Sequence, residues 1–263
     1  MTTAPTEIDR AHAAMEAAPQ DDAARLAFYE RLADSEVFLL LAGEAEDDRI
    51  TPETFEIADA TYALIFDREE RLSDFTGRPV PYAGLPGRAL IGMLAGQGVG
   101  LGLNLDVAPS AMLIPAEAVD WLAQTLLHSP TETEGRIVEL LPPAGLPEAL
   151  IAGLDRKLAL AAGLAPWACL AGVRYDSGAR GHVLAFVDAA PGAEAALAHA
   201  AGEALTFSGV EAGVMDVLFV RGTDPITARL ARTGLRFDLP EPPVAPSAPP
   251  PPGSDPNTPP KLR

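Results

Sequence analysis

Apolar residues recur along the chain at two spacings, and the alternation between the spacings divides it into elements. Ile8, Ala11 and Met15 share one face of a helical wheel, and Thr6 with Asp9 three residues on forms a capping box with the shorter acid. A second helix is predicted over about Asp21 to Ala33, with Leu26, Tyr29 and Leu32 as its stripe. The continuous run Val37-Phe38-Leu39-Leu40-Leu41 then reads as a buried strand. Tyr62 to Phe66 is a second strand, and Asp67 to Glu70 starts a helix carrying Leu72 and Phe75. A helix over about Leu85 to Leu94 and a strand over Gly98 to Leu103 follow. Pro115 opens another helix, with Glu117 in its first turn and Val119, Leu122 and Leu126 on one side.

Beyond a proline-rich break the order recurs. A helix is predicted over about Pro147 to Ala162, and strands over Ala168 to Tyr175 and His182 to Val187, joined by the turn Asp176-Ser177-Gly178. A helix over Ala193 to Leu205, a strand over Met215 to Val220 and a short helix over Pro225 to Arg232 complete it. Both halves read helix, strand, strand, helix, strand, helix, and Ile65-Phe66-Asp67 matches Phe186-Val187-Asp188. The expected class is α/β or α+β, with two consecutive mixed units. The expected organisation is an N-terminal helical arm at 1–19, a first unit at 20–128, a linker at 129–146, a second unit at 147–238 and a tail at 239–263. The tail holds 11 prolines in 25 residues, and this composition predicts disorder.

Charge narrows the range of partners. Nineteen Lys and Arg face 37 Asp and Glu, a formal net charge of −18 over 263 residues. A surface that acidic repels phosphate backbones and anionic lipid, which argues against nucleic acid and membrane partners. No signal-peptide pattern and no apolar stretch long enough to span a bilayer is present, so the expected compartment is the cytoplasm.

The residue patterns that carry chemistry are sparse. The lone cysteine, Cys169, sits in an apolar run and reads as a small buried hydrophobe. His12, His128, His182 and His199 are scattered, and the acidic run Glu44, Glu46, Asp47, Asp48 lacks the spacing of a calcium loop, so no metal site is expected. Gly96 to Leu103 fails the dinucleotide fingerprint because positions 101 and 103 are leucine. No P-loop and no nucleophile-elbow serine exists, so no cofactor and no catalytic residue is assigned. Gly98, Gly100 and Gly102 alternate with Val99, Leu101 and Leu103, which describes a strand with one bare face. That face either receives a closely packed helix or backbone, or forms a groove for a ligand or partner. With the polar residues at the predicted strand end, the candidate binding surface is Gly98, Gly100, Gly102, Asn104, Asp106 and Ser110.

Three stretches carry a family resemblance: Tyr62 to Phe75, Gly98 to Asn104, and Pro109 to Val119. On these, residues from about Leu26 to Leu126 resemble the N-terminal domain of the SseB, or enhanced serine sensitivity, family. Members typically carry Asn-Pro-Gly where this chain has Asn104-Leu105-Asp106. Residues of about 147–240, ending at Leu235-Arg-Phe-Asp238, resemble the family's C-terminal domain. The resemblance implies a bacterial protein linked to serine sensitivity, a phenotype rather than an activity, and it supplies no catalytic residues. The expected role is a non-catalytic binding or regulatory protein with a protein or small-molecule partner. An enzyme with a loop-assembled site, or an interaction module working through an apolar surface, is the alternative.

Overall fold

The computed structural model describes residues 4–44, 50–127, 135–210 and 215–242. His128, Glu46, Asp47, Asp48, part of the expected linker and the tail from Pro243 onward lie outside the described residues. The class is α+β, built on two mixed sheets.

The first half runs α1 (Glu7–Ala17), α2 (Asp22–Asp34), β1 (Glu36–Leu40), β2 (Thr54–Ile57), β3 (Ala60–Phe66), α3 (Glu69–Thr76), β4 (Tyr82–Pro86), α4 (Gly87–Leu94), β5 (Val99–Leu103), β6 (Met112–Ile114) and α5 (Ala116–Leu126). Its sheet has the order β4-β1-β3-β5-β6, and β2 pairs the first part of β3. Only β3 and β5 run parallel, with Tyr62 opposite Gly100 and Leu64 opposite Gly102. The capping box of α1 forms as the spacing predicts: Thr6 Oγ1 accepts from the Asp9 N–H, and Asp9 accepts from the Thr6 N–H. One face of the sheet carries the main core, where Phe28, Leu32, Val37, Leu39, Ile65, Leu101 and Leu103 are buried with Ile8 of α1. The other face buries Leu40, Leu64, Phe66 and Leu72, and is covered by α3.

The second half runs β7 (Ile137–Leu141), α6 (Glu148–Ala159), β8 (Trp167–Tyr175), β9 (Arg180–Val187), α7 (Glu194–Phe207), β10 (Met215–Val220), α8 (Pro225–Thr233) and β11 (Leu235–Asp238). Its sheet has the order β10-β9-β8-β11, with β7 on the rest of the β8 edge. The single parallel pair is β9 with β10. Helices α6 and α7 cover one face, over Leu154, Leu170, Leu184 and Phe186, and α8 covers the other. Cys169 lies on that second face, fully buried. Its Sγ donates to the Leu230 carbonyl at 3.3 Å, and burial pushes the thiol pKa up.

Five strands go beyond the predicted pattern. β2 is short and largely exposed, and β4 is a five-residue edge strand ending in Pro86, so neither shows a buried alternation. β6 and β11 have three and four residues. β7 falls inside the stretch read as linker, where Pro142, Pro143 and Pro147 mark a boundary that begins only after Leu141. The start of the expected tail is also ordered: Leu239 is buried and its N–H donates to the Pro166 carbonyl, while the Pro240 carbonyl accepts from the Gly163 N–H. Apolar Leu239 and one free proline carbonyl suffice to dock those residues.

Candidate functional site

The carboxyl ends of parallel strands β3 and β5 lie side by side, the position where open sheets containing parallel strands gather ligand-binding groups. Asn104 follows β5 in left-handed backbone, with φ 49°, and Asp106 does the same at φ 59°. Asp106 thus stands in left-handed backbone, a conformation that aspartate tolerates better than most residues. The Asn104 carboxamide accepts from the Asp67 N–H at 3.1 Å and donates to Ser110 Oγ at 3.0 Å. Ser110 Oγ donates to Asp9 Oδ1 at 2.6 Å. Arg71 of α3 donates to both oxygens of Asp9, at 3.0 and 2.5 Å, and to Asp67 at 2.7 Å. Thr6 closes the ring through Asp67 at 2.5 Å.

This cluster is sealed and self-satisfied. Asn104 and Ser110 are fully buried and Asp9 is nearly so. Burial alone would raise the Asp9 pKa, but hydrogen bonds from Arg71, Ser110 and Thr6 hold its carboxyl well below the usual range. Arg71 is correspondingly held above its ordinary value, first through Asp9. Of the six candidate residues, Asn104 and Ser110 therefore meet, but inside the protein and around the side chain of Asp9. Asp106 is exposed and takes no part.

The glycines divide. A Cβ on Gly100 would meet the Ile114 carbonyl at 2.5 Å and the Tyr62 ring at 2.7 Å, and one on Gly102 would meet Leu64 at 2.7 Å. These two positions are the closely packed face. Gly98 is not on it: its φ of 69° places it in the turn before β5, where an added Cβ would meet nothing within 4 Å. The strand pleat begins one residue later, which breaks the expected three-glycine row.

A second cluster joins the two sheets through their helices. Helix α2 packs on α7, and Phe207 of α7 is buried in the first sheet's core. At this junction Lys157 of α6 donates to Asp34 of α2 at 2.7 Å and to Glu203 of α7 at 2.6 Å, with its side chain only 3% exposed. Arg88 of α4 bridges the same two carboxylates, with Asp34 at 2.6 Å and Glu203 at 3.2 Å. Burial raises the Glu203 pKa, but Lys157 and Arg88 outweigh it, and the carboxyl titrates below its ordinary 4.5. His199 approaches Glu203 at 3.0 Å.

Beside this junction lies a cleft of about 250 Å³ between α2 and the α6–α7 pair, lined by Glu30, Arg156, Ala27, Gly153, Ala204 and Phe207 among others. Glu30 is 1% exposed. Its Oε2 accepts from Arg156 at 3.2 Å and Arg31 at 3.3 Å, while Oε1 has no hydrogen bond and lies 3.7 Å from Lys157 Nζ. The buried Arg156 Nε also lacks an acceptor. None of these residues was singled out by motif. The readable signal was a glutamate set among buried Phe28, Tyr29, Leu32 and Ala33 on one helix, a charge where the stripe demands an apolar residue.

Among the described residues no group of three or more His, Cys, Asp or Glu is arranged to hold a metal ion, and no helix is long and apolar enough to cross a membrane. What fold and clusters define is an α+β protein of two mixed sheets with a sealed strand-end network and a charged cleft between helices. Residues 10–121 match the SseB protein N-terminal domain. The matched stretch lies in the first half, where Arg71, Asn104 and Ser110 enclose Asp9. The match begins at residue 10, so Thr6 and Asp9 lie just outside it. No curated protein and no solved structure matched the chain.

Proposed function

We propose that this is a non-catalytic binding or regulatory protein, made of two units at about 20–128 and 147–238, whose binding site is the cleft where they meet. The observation that carries the reading is Glu30: a carboxylate buried to 1% exposure beside the cleft, whose covered Oε1 has no hydrogen bond. A buried charge left partly unsatisfied is costly, and a bound molecule that supplies the missing donor relieves that cost. The remaining charges support binding over chemistry. Glu203 and Asp9 are held ionised below the ordinary carboxylate range, and Arg71 and Arg88 above theirs, so these groups act as fixed ion-pair partners near neutrality. The SseB resemblance adds a link to serine sensitivity, and with it a place in amino-acid metabolism. The second unit, read as the SseB C-terminal domain, supplies α6 and α7 to the cleft.

Native mass spectrometry on the full chain, equilibrated with a small-molecule metabolite extract, tests this. The expected result is a bound small molecule that Glu30→Gln weakens. A chain that retains no small molecule and shows no thermal shift against a broad metabolite panel would overturn the reading.

A further inference from the structure

We propose that the cleft between α2 and the α6–α7 pair binds a compact amino-carboxylate, a molecule carrying an ammonium and a carboxylate on one short framework. This rests on the binding reading above and names its ligand class.

Glu30 Oε1 needs a donor. The nearest cation, Lys157 Nζ, is 3.7 Å away and makes its short hydrogen bonds to Asp34 and Glu203 instead. Oε1 is covered, so an ammonium or N–H group supplies that donor by parting the Glu30–Arg156 pair as it enters the cleft. Arg156 Nε needs an acceptor, because the guanidinium spends its Nη2 group on Glu30 Oε2. A carboxylate oxygen supplies it. The unpaired acceptor and the unpaired donor belong to one ion pair, so a ligand satisfying both must carry its two groups a few bonds apart.

Charge decides among the simpler alternatives. Around the cleft and its junction four basic side chains, Arg31, Arg88, Arg156 and Lys157, face four carboxylates, Asp21, Glu30, Asp34 and Glu203. A plain amine upsets that balance and leaves Arg156 Nε without an acceptor. A plain carboxylate brings like charge against Glu30, whose oxygen stays unsatisfied. A molecule with both groups matches each partner and leaves the balance unchanged. Size agrees: about 250 Å³ is below the roughly 300–1,000 Å³ of pockets for drug-sized ligands. Ala27, Ala204 and Gly153 keep the walls shallow.

The test is a calorimetric titration of the full chain with three probes of matched size: L-alanine, propionate and ethylamine. L-Alanine is expected to bind at least tenfold more tightly than either half-molecule, and Glu30→Gln is expected to weaken it at least tenfold. Because that variant also disturbs an ion pair, Ala27→Leu is run beside it. It fills the cleft without touching a charge, and it is expected to abolish binding while the circular dichroism spectrum stays native. Propionate or ethylamine binding as tightly as L-alanine overturns the proposal, as does L-alanine binding that survives Ala27→Leu. If amino-carboxylates from glycine to L-leucine all fail while the metabolite extract yields another ligand, this ligand class falls and the binding reading stands. If neither yields a ligand, both fall.

Discussion

The two halves place an aspartate at the same point of their topology and treat it in opposite ways. Asp67 follows β3 and Asp188 follows β9, each the first strand of the half's parallel pair. Asp67 is sealed: its N–H goes to Asn104, its carboxylate to Arg71 and Thr6, and α1 closes over the whole with Asp9. Asp188 is exposed, in left-handed backbone at φ 51°, and its carboxylate merely accepts from the Gly222 N–H at 2.8 Å. The added helix makes the difference. In the first half a strand end that could have faced a ligand holds an internal carboxylate instead. Glu30 Oε1 and Arg156 Nε, which are incompletely satisfied, lie elsewhere, at the helical junction between the sheets.

The largest test of this contrast is Arg71→Ala. It leaves Asp9 and Asp67 buried without their shared cation, and removing one partner of a buried ion pair costs about 3–5 kcal/mol. Urea denaturation should show that loss. A loss below about 1 kcal/mol would mean the cluster is hydrated rather than sealed.

Acid should attack the same places. Asp9 and Glu203 both titrate below their ordinary values of 3.8 and 4.5 in the folded chain. The unfolded chain therefore takes up protons first as pH falls, so the stability from these groups is complete above about pH 5 and is lost below it. The melting temperature should be flat from neutrality to about pH 5 and then decline. The decline should be shallower in Asp9→Asn, and an unchanged slope there would remove Asp9 from the account.

The paired isosteric substitutions set the halves against each other directly. Asp67→Asn discards a charge that Arg71 uses, and hydrogen bonds to charged groups are worth about 1.5–3 kcal/mol. Asp188→Asn keeps the acceptor and tolerates the same backbone, so it should stay within about 0.5 kcal/mol. Equal effects would erase the distinction drawn between the strand ends.

Much of the frame beneath these sites was legible from local patterning. The Thr6–Asp9 box, the Gly–Leu alternation of β5 and the apolar setting of Cys169 each depend on neighbours within a few residues. The strands missed are those whose stability comes from pairing and not from their own sequence: β7 among prolines, β11 after Gly234, β4 between Pro81 and Pro86. The site divides along the same line. Asn104 and Ser110 could be named because polar residues at a strand end are informative. Asp9, 101 positions from the serine that donates to it, was brought there by the packing of α1. Glu30 was visible only as a misplaced charge, with no indication that Arg156 would face it from 126 positions away.

Gly100→Val tests the packed face of β5. The added carbons meet backbone at Ile114, which has little freedom to move, and overpacking costs about 1–3 kcal/mol. Gly98→Ala, at left-handed φ but in open space, should cost only about 1 kcal/mol. A reversed order would put the tight contact in the turn. The smallest effect is expected from deleting residues 243–263, which should leave the melting temperature within a degree or two, while extending the deletion to Leu239 should lower it clearly by removing a buried side chain.

Cys169 also provides a built-in clock. The chain holds one thiol, enclosed behind the β8 sheet face and α8 and tied to the Leu230 carbonyl, so a thiol reagent can reach it only when that part of the second sheet opens. The labelling rate then reports opening of this half alone, without an engineered probe. Comparing it with the global unfolding rate would show whether the two halves come apart together or in turn.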